Sequence, residues 1–481
     1  MTPSAQSGSS AARTTSRTWR QRALDDACDI PFWLDNPRAP APAPPLTGLH
    51  ECDLAVIGGG FTGLWAALLA KERDPAAEVV VLEAGRVGWQ ASGRNGGFCM
   101  ATLTHGAANG LAKFPHEIER LERLGMDNLA EMERAIERYG IDCAWERTGE
   151  ANVATEPWQV TAIEEMRDEF ERIGRAYEWF DREAAQAEIH SPLIEGMIWE
   201  TQDCVMLDPA RLAWGVARAA RQRGALIHEG TPVTSLTRDG AGVRLDTPAG
   251  SVRAAKAVLA TNAFPPLVRR LRYLMAPVYD YALVTEPLTA KQWDEVGWSR
   301  RQGLSDSGNH FHYFRVTPDG RILWGGYDAI YHFGSRVGSR FDVRDETFAK
   351  LSGQFFDLLP QLEGIRFTHT WGGVIDVSTR ICPFFGTALG GRVAYALGFT
   401  GMGVGASRFG AQVTLDLLSG ERTELTQLEL VRSRPLPWPP EPLRWGAVEA
   451  TQRSMAWADR HEGRRNGWLR LLDRLGVGFD T

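Results

Sequence analysis

The chain has 481 residues, of which 43% are hydrophobic and 23% are charged, and this composition indicates a globular protein with sizeable cores. Its 53 basic and 60 acidic side chains give a formal net charge of -7, and no Lys/Arg run follows the pattern of a phosphate-binding surface, so nucleic acid is not an expected partner. No apolar run approaches the roughly 20 residues that a membrane-spanning helix needs, and we expect no membrane span.

Residues 1–49 are predicted to form a disordered tail and a proline-rich linker. The start of the chain carries arginines among Ser, Thr and Ala with no acid before Asp25, namely Arg13, Arg17, Arg20 and Arg22. This composition is typical of a disordered tail and also of an organellar transit peptide, and the missing apolar helical face favours the tail. The run P-R-A-P-A-P-A-P-P (37–45) indicates an extended spacer, so folded structure is expected to begin just after it.

The six cysteines are scattered along the chain, at Cys28, Cys52, Cys99, Cys143, Cys204 and Cys382. They lack the spacing of a disulfide framework or of a zinc site. We therefore expect no metal and a reducing cytoplasmic location.

Residues 54–70, L-A-V-I-G-G-G-F-T-G-L-W-A-A-L-L-A, predict a strand, a tight glycine turn and a helix. Gly58 suits the turn, Gly60 allows a pyrophosphate close to the backbone, and Gly63 allows the helix to pack on the strand. A second predicted strand, residues 79–82, ends at Glu83, where a carboxylate can accept hydrogen bonds from a ribose and would repel the 2′-phosphate of NADP. This pattern predicts dinucleotide binding, with Phe61, Thr62 and Ala84 also at the cofactor.

The next segment, A-G-R-V-G-W-Q-A-S-G-R-N-G-G-F (84–98), resembles the D-amino-acid-oxidase and glycine-oxidase superfamily of FAD enzymes, most closely its γ-glutamylputrescine-oxidase-like branch. The resemblance implies that this loop contacts the pyrophosphate and then the flavin through Ser92, Arg94, Asn95, Gly96 and Gly97. Small residues and exposed amides suit a planar cofactor, and Arg94 could offset phosphate charge. The alternative interpretation is an ordinary glycine-rich surface loop.

Two further regions resemble the same family, so that the likeness extends from about Asp53 to Leu418. The first comprises Val233 and the end of a strand at Ala260, Thr261 and Asn262. The second, V-A-Y-A-L-G-F-T-G-M-G-V-G (393–405), predicts a strand, a glycine turn and a helix start. Its implied cofactor positions are Gly398, Thr400, Gly401, Met402, Gly403 and Val404. An NAD enzyme has no use for a second remote turn, so the expected cofactor is FAD.

The resemblance implies an α/β fold, with a Rossmann-type FAD-binding domain of the GR2-like kind and an α+β substrate domain with a mostly antiparallel sheet. The FAD-binding domain is assigned to residues 50–105, 200–268 and 369–425, the substrate domain to 106–199 and 269–368, and a C-terminal extension to 426–481. Helical periodicity is predicted over 108–138, 158–187 and 209–223, and strands over 277–285, 311–317 and 321–327, with a hairpin turn at 317–320.

Oxidation of an amine by flavin needs the α-carbon held over the ring, an unprotonated nitrogen and exclusion of water. Aromatic and apolar residues can therefore form the site. The candidates, on segments that resemble flavin-facing strands and loops of the family, are His105, Tyr281, Tyr313, Arg315, Trp371 and Asp376.

Two positions depart from related branches. Where the glycine-oxidase branch has an arginine that pairs with the substrate carboxylate, the segment W-G-G-V-I-D-V-S-T-R-I-C-P-F-F-G (371–386) places Ile375, although Arg315 or Arg380 could replace that anchor. Where the sarcosine-oxidase branch has a cysteine that links covalently to flavin, this chain has His312. Non-covalent FAD is expected, with a histidine linkage as the alternative.

The leading function is an FAD amine oxidase or dehydrogenase that acts on CH-NH or CH-NH2 donors and passes electrons to oxygen or another acceptor. The alternatives are oxidation of an N-substituted glycine or amino acid, or of a 2-hydroxy acid, each of which needs another carboxylate anchor. A non-enzymatic nucleotide-holding protein is disfavoured, because flavin-ring motifs accompany the phosphate turn.

Overall fold

The computed structural model describes residues 19–477. The strands are β1 (Gly48–Ile57), β2 (Val79–Leu82), β3 (Phe98–Met100), β4 (Glu150–Ala154), β5 (Glu178–Phe180), β6 (Gly196–Glu200), β7 (Cys204–Met206), β8 (Leu226–His228), β9 (Ser235–Asp239), β10 (Gly242–Asp246), β11 (Gly250–Leu259), β12 (Ala276–Thr285), β13 (Gly303–Asp306), β14 (His312–Val316), β15 (Ile322–Gly326), β16 (Ile330–Tyr331), β17 (Phe367–Val377), β18 (Phe384–Ala388) and β19 (Val393–Leu397).

The α-helices are α1 (Trp19–Arg22), α2 (Phe61–Arg73), α3 (Ala91–Arg94), α4 (Ala107–Lys113), α5 (Ile118–Tyr139), α6 (Gln159–Ile173), α7 (Arg182–Glu188), α8 (Pro209–Gln222), α9 (Ala290–Val296), α10 (Asp345–Leu358), α11 (Gly403–Ser419), α12 (Glu424–Gln427), α13 (Glu429–Arg432), α14 (Leu443–Asp459) and α15 (Gly467–Arg474). Short 3-10 turns cover Arg269–Tyr273, Ser339–Phe341 and Pro360–Leu362. Within this described part, none of the helices combines the length and apolarity needed to cross a bilayer.

The first sheet forms the Rossmann-type domain and has the order β18-β19-β11-β1-β2-β8, extended by β10 and β9. The strands β19, β11, β1, β2 and β8 run parallel, so their carboxyl ends lie at one edge. Ligands of open α/β sheets bind beyond that edge. Helices α2, α8 and α11 pack together against this sheet and bury a continuous apolar cluster.

The second sheet has the order β16-β12-β15-β14-β13-β4-β6-β5, with β17 paired to β12, and it is mostly antiparallel. The assignment of residues 369–377 to the FAD-binding domain is wrong, because these residues form part of strand β17. Strand β17 pairs with β12 over almost its whole length, from Ala276↔Val377 to Val284↔His369, and it therefore belongs to the substrate sheet.

Most predicted elements are confirmed to within a few residues, including strand β2, helix α8 and the strands on either side of the 317–320 turn. The helices predicted over 108–138 and 158–187 are both interrupted. Residues 114–117 separate α4 from α5 in the first. Helix α6 ends at Gly174, which has a φ of +71°, and β5 separates it from α7. A left-handed residue closes a helix because the backbone direction changes there.

The expectation that folded structure begins after Pro45 is wrong for residues 19–36, which include helix α1, while residues 37–45 are mostly exposed and contain neither helix nor strand, as expected for the spacer. Residues 1–18, with Arg13 and Arg17, lie outside the described residues. Trp33 is 2% exposed, and its indole Nε1 donates to the carbonyl of Asn95 at 2.9 Å. Leu46 is also buried, at 1% exposure. The arginine and proline content suggested solvent exposure. Trp33 and Leu34 are nevertheless buried against Ala282 of β12 and Trp371 of β17, whereas Ile30 is 43% exposed.

All six cysteines are free thiols. Potential ligand atoms of Cys28, Asp35 and His369 lie within 4.8 Å of one another, a grouping that the cysteine spacing did not indicate. It arises where the N-terminal segment meets β17.

Candidate active site

A cavity lies beyond the carboxyl ends of the parallel strands. Glu83 follows β2, Gly58 and Gly60 follow β1, Ala260 to Asn262 follow β11, and Phe399 follows β19. Its lining residues are Ile57, Gly58, Gly60, Phe61, Thr62, Leu82, Glu83, Ala84, Gly85, Arg86, Trp89, Gln90, Ala91, Ser92, Asn95, Pro232, Val233, Ala260, Thr261, Asn262, Phe264, Pro265, Leu267, Ile375, Ala396, Phe399, Gly401, Gly403, Val404 and Ser407. Because β2 and β19 lie on opposite sides of β1 and β11, the cavity has a Glu83 end and a Phe399 end.

A side chain at any of the three characteristic glycine positions would meet a close neighbour, which is backbone at Gly58 and Gly63 and a side chain at Gly60. Gly58 has a φ of +112°, and a Cβ there would lie 2.4 Å from the carbonyl oxygen of Ala260. A Cβ on Gly60 would lie 2.9 Å from Ser92 Oγ at the cavity wall. Gly63 does not line the cavity, and a Cβ there would lie 2.0 Å from Gly58 O, which fits the expected packing of helix on strand.

Glu83 is held in place by the turn that it faces. Its Oε2 accepts a hydrogen bond from Gly59 N at 2.6 Å, and its Oε1 accepts one from Gly85 N at 2.7 Å. Burial raises the pKa of this carboxyl, while these two amides act in the opposite direction. The carboxylate is therefore oriented before any ligand binds, and its remaining acceptor capacity can serve a ribose.

Two helices begin at the cavity. Phe61 N at the start of α2 donates to Ser92 Oγ at 2.9 Å, and Gly403, Val404 and Ser407 of α11 also line the wall. Helix N-termini present amides and positive dipole ends to anions. Thr261 Oγ1 is buried at this wall without a hydrogen-bond partner among the described residues. Two helix starts, an orphaned hydroxyl and a glycine cradle fit a phosphate-bearing dinucleotide.

Asp376 of β17 anchors the turn between β19 and α11 through hydrogen bonds. This carboxylate accepts hydrogen bonds from Gly398 N at 2.5 Å and from Phe399 N at 3.1 Å. Burial raises the pKa of Asp376 to about 7, although the backbone amides lower it. Gly401, Gly403 and Val404 line the cavity, whereas Gly398, Thr400 and Met402 support the turn outside the lining.

The loop at 91–97 divides into a cavity-facing part and a supporting part. Ser92 and Asn95 line the cavity, but Arg94, Gly96 and Gly97 do not. The Arg94 guanidinium donates to Asp342 Oδ2 at 2.6 Å, to Gly372 O at 3.0 Å and to Trp89 O at 2.8 Å. With these partners, Arg94 ties the loop to the substrate sheet and is not placed to offset phosphate charge.

None of the predicted catalytic residues lines the cavity in this structure. The His105 Nε2 donates to Thr400 O at 3.0 Å, and burial lowers the pKa of this histidine. Tyr281 OH donates to Phe341 O at 2.9 Å, and Tyr313 OH donates to the buried Asp280 at 2.7 Å. Trp371 Nε1 donates to Arg94 O at 2.8 Å. The polar groups of these four side chains therefore have partners outside the lining.

The two arginines that could replace the missing anchor are both buried away from the lining. Arg315 donates to Gly97 O at 3.1 Å and Leu207 O at 2.8 Å, its Nη2 has no partner among the described residues, and burial lowers its pKa to about 10. Arg380 donates to Ser433 Oγ at 2.8 Å and Leu430 O at 2.9 Å. Ile375 itself does line the cavity.

His312 also lies outside the lining. Its Nδ1 contacts Asp306 Oδ2 at 2.6 Å and its Nε2 contacts Gln354 Oε1 at 3.0 Å, and the ring stacks on Trp324. Burial lowers its pKa, but the stronger combined effect of Asp306 and Gln354 raises it. Both ring nitrogens therefore have partners, one on strand β13 and one on helix α10.

Sequence reasoning missed several wall residues, chiefly Arg86, Trp89, Gln90, Pro232, Phe264, Pro265, Leu267, Ala396, Phe399 and Ser407. Trp89, Ala396, Phe399 and Ser407 lie within or next to recognised motifs, so neighbours of those motifs could have been included. Residues 264–267 belong to no sequence motif. Only the path of the chain after β11 brings them to the cavity, so the sequence did not indicate them.

A Rossmann-type sheet, a glycine turn, a carboxylate fixed at the end of β2 and a second turn after β19 are the features expected of a flavin-dependent oxidoreductase. A family model described as FAD dependent oxidoreductase, abbreviated DAO, matches residues 53–417. The chain belongs to this family, and it is an FAD-dependent enzyme.

Curated relatives cover most of the chain. Gamma-glutamylputrescine oxidoreductase of Escherichia coli (strain K12) is 30% identical over 392 residues, which cover 79% of this chain and 87% of the relative. Probable oxidoreductase OrdL of Haemophilus influenzae is 26% identical over 410 residues, covering 83% and 90%. The crystal structure of glycine oxidase from Geobacillus kaustophilus superposes with a TM-score of 0.66 at 21% identity, covering 80% of this chain and 99% of that structure, and it supports the fold.

Proposed function

We propose that this enzyme oxidises a carbon–nitrogen bond of a small amine to an imine, which water then hydrolyses to an aldehyde and ammonia or an amine. The observation that carries the proposal is the chemistry of the Phe399 end of the cavity. Ile375, Phe399, Phe264 and Leu267 are apolar, and among the described lining residues the only cation is Arg86. Arg86 lies at the Glu83 end, where it donates to Pro40 O.

A substrate carboxylate would therefore lack its usual partner. Arginine binds carboxylates through two parallel hydrogen bonds, and isoleucine offers none. Arg315 and Arg380 donate to backbone carbonyls, which hold them away from the lining. An alkylamine instead gains about 0.8 kcal/mol for each buried methylene, which matches an apolar wall.

Bound FAD would supply the oxidant, by accepting a hydride at flavin N5 from the carbon next to nitrogen. The residues that would hold it are Gly58, Gly60, Glu83, Ser92, Thr261 and the turn at 398–404. Glu83 orients the nucleotide, the starts of α2 and α11 present amides, and the apolar wall excludes water from the amine. The 30% identity to a gamma-glutamylputrescine oxidoreductase supports an amine as the substrate class.

We infer non-covalent attachment of FAD. The described lining contains neither cysteine, histidine nor tyrosine, which are side chains able to bond the flavin ring. His312 lies outside it with both ring nitrogens engaged. Acid precipitation should release yellow flavin into the supernatant, and colour retained in the pellet would contradict this inference.

The substrate class is tested by anaerobic stopped-flow reduction of the flavin with a series of ω-substituted alkylamines, glycine, sarcosine and D-alanine. We expect reduction to become faster as the alkyl chain lengthens and as pH rises, because only the neutral amine can release hydride. Glycine and sarcosine should be poor substrates.

The variant Ile375→Arg should raise the rate with sarcosine relative to alkylamines, while Ile375→Met, which keeps the wall apolar, should leave the preference unchanged. Fast reduction of the wild type by glycine or sarcosine would refute the proposal. It would favour oxidation of an N-substituted glycine instead, with Arg315 as the cation, because its Nη2 has no partner among the described residues.

A further inference from the structure

Three segments that are distant in sequence meet beside the cavity: residues 264–275, 331–341 and 432–446. Trp438 N donates to Tyr273 O at 2.6 Å. The Arg444 guanidinium donates to Ser335 Oγ at 2.8 Å and to Arg272 O at 3.4 Å. These contacts join the three segments into one region, called here the basic apolar surface.

The charge of this surface is opposite to that of the whole chain, whose formal net charge is -7. Its single acid, Glu441, accepts hydrogen bonds from Gly334 N at 3.0 Å and Trp445 N at 3.2 Å. None of its arginines forms an ion pair within residues 19–477. Seven of these arginines are exposed, whereas Arg444 is 4% exposed and joins the segments from within; the exposed ones are Arg269, Arg270, Arg272, Arg336, Arg340, Arg432 and Arg434.

The pKa of His332 indicates the sign of the electrostatic potential at this surface. Burial is the largest cause that lowers its pKa, and the next causes are the nearby guanidiniums of Arg336, Arg344 and Arg340. No carboxylate acts on this histidine in the opposite direction. The surface is therefore electropositive where it surrounds His332.

The same surface exposes large apolar side chains. Phe333 is 48% exposed, Leu436 58%, Leu443 66% and Trp445 40%. The rings of Phe333 and Trp445 are in contact, with centroids 6.4 Å apart. Clustered apolar side chains of this kind are uncommon on a surface without a partner.

Positive charge and exposed apolar side chains together limit the kinds of partner that could bind this surface. A second copy of this chain would bring the same uncompensated arginines face to face, which like-charge repulsion opposes. A small anion would use the guanidiniums but leave the apolar side chains in water. A bilayer that contains anionic lipids offers negative headgroups to the arginines and an apolar interior to Trp, Phe and Leu.

We propose that the basic apolar surface binds the anionic surface of a lipid bilayer, as a peripheral contact without a membrane span. Phe264, Pro265 and Leu267 of the first segment line the cavity, so the docked bilayer lies next to the cofactor site. This inference stands independently of the substrate proposed above.

The test is co-sedimentation of the flavin-loaded protein with sucrose-filled vesicles of phosphatidylcholine alone and of phosphatidylcholine mixed with phosphatidylglycerol. We expect binding to the mixed vesicles, loss of binding in high salt, and little binding to the neutral vesicles. Flavin absorbance in both fractions measures the partition and also reports that the protein remains folded.

Arg269 and Arg434 are both exposed, so Arg269→Gln with Arg434→Gln should keep the fold and lower the partition by about 5-fold for each charge removed. Leu443→Ser with Trp445→Ser should also lower it. The matched controls are Arg172→Gln on α6 and Leu226→Ser on β8, whose side chains are exposed elsewhere, and they should leave the partition unchanged.

Three results would overturn the proposal: no sedimentation with anionic vesicles, equal binding to neutral vesicles, or equal losses in the control variants. Retention on immobilised poly-glutamate without vesicle binding would also overturn it, and would indicate an acidic protein as the partner.

Discussion

The replacement Glu83→Gln tests the cofactor assignment most directly. In the structure, the two carboxylate oxygens accept hydrogen bonds from Gly59 N and Gly85 N at 2.6 and 2.7 Å. Glutamine has only one acceptor oxygen, so one of these amides loses its partner. The turn then keeps only one of the two hydrogen bonds that hold it. The ribose also loses a charged acceptor, and hydrogen bonds to charged groups contribute roughly 1.5–3 kcal/mol each. Because 1.4 kcal/mol corresponds to tenfold, the dissociation constant for FAD should rise about 10- to 150-fold.

The assay is titration of deflavinated protein with FAD, followed by flavin fluorescence. Glu200→Gln is the matched control, because Glu200 on β6 is 4% exposed and accepts a hydrogen bond from Arg175 Nη1 at 2.7 Å, yet does not line the cavity. This control should lower the melting temperature and leave the affinity for FAD unchanged. Unchanged affinity in Glu83→Gln, or an equal loss in both variants, would refute the ribose assignment.

Three further predictions concern the structure around the cofactor. Gly63→Ala should prevent accumulation of yellow protein, because its Cβ would lie 2.0 Å from a backbone oxygen. The matched control is Gly353→Ala in α10, where the Cβ meets open space, and it should raise the unfolding free energy by about 0.5–1 kcal/mol in urea titrations. Burial raises the pKa of Asp376 from 3.8 to about 7, so the folded state keeps a proton that the unfolded chain releases between these values. The unfolding free energy of the wild type should therefore fall more than that of Asp376→Asn as pH rises from 4 to 7, by roughly 1.4 kcal/mol per unit of pKa difference, and parallel pH curves would contradict this. Trp33→Ala should weaken FAD binding at least severalfold by releasing the Asn95 carbonyl, and unchanged binding in the fluorescence titration would show that the N-terminal segment does not support the site.

The nucleotide half of the site was predictable because its determinants are local. The glycines at 58, 60 and 63 and the carboxylate at 83 are separated by one strand–helix–strand unit, whose spacing follows from the geometry of a parallel sheet. A Cβ at any of the three glycines would meet backbone or Ser92, so the residue type itself carries the information. Of the predicted cofactor residues, Gly58, Gly60, Glu83, Val233 and Thr261 all line the cavity.

The substrate half was not predictable to the same degree, because its side chains project from a sheet whose face depends on long-range pairing. Tyr281 lies on β12, where pairing with β17 directs its hydroxyl to Phe341 O and away from the cavity. Arg315 could have served as a carboxylate anchor by residue type, but its β14 position directs the guanidinium to Gly97 O and Leu207 O.

The amino-acid sequence alone determined the cofactor class, the order of the parallel unit around Glu83 and the loss of a cation at Ile375, since each depends on residue type at a short and regular spacing. Only the tertiary structure decided that residues 19–36 pack on the body, that β17 joins the substrate sheet, and that residues 264–275, 331–341 and 432–446 meet beside the cavity. The physical reason is that these contacts join segments up to several hundred residues apart in the chain. They form because the burial of a few apolar side chains such as Trp33 contributes more free energy than the polar composition of their segments suggests.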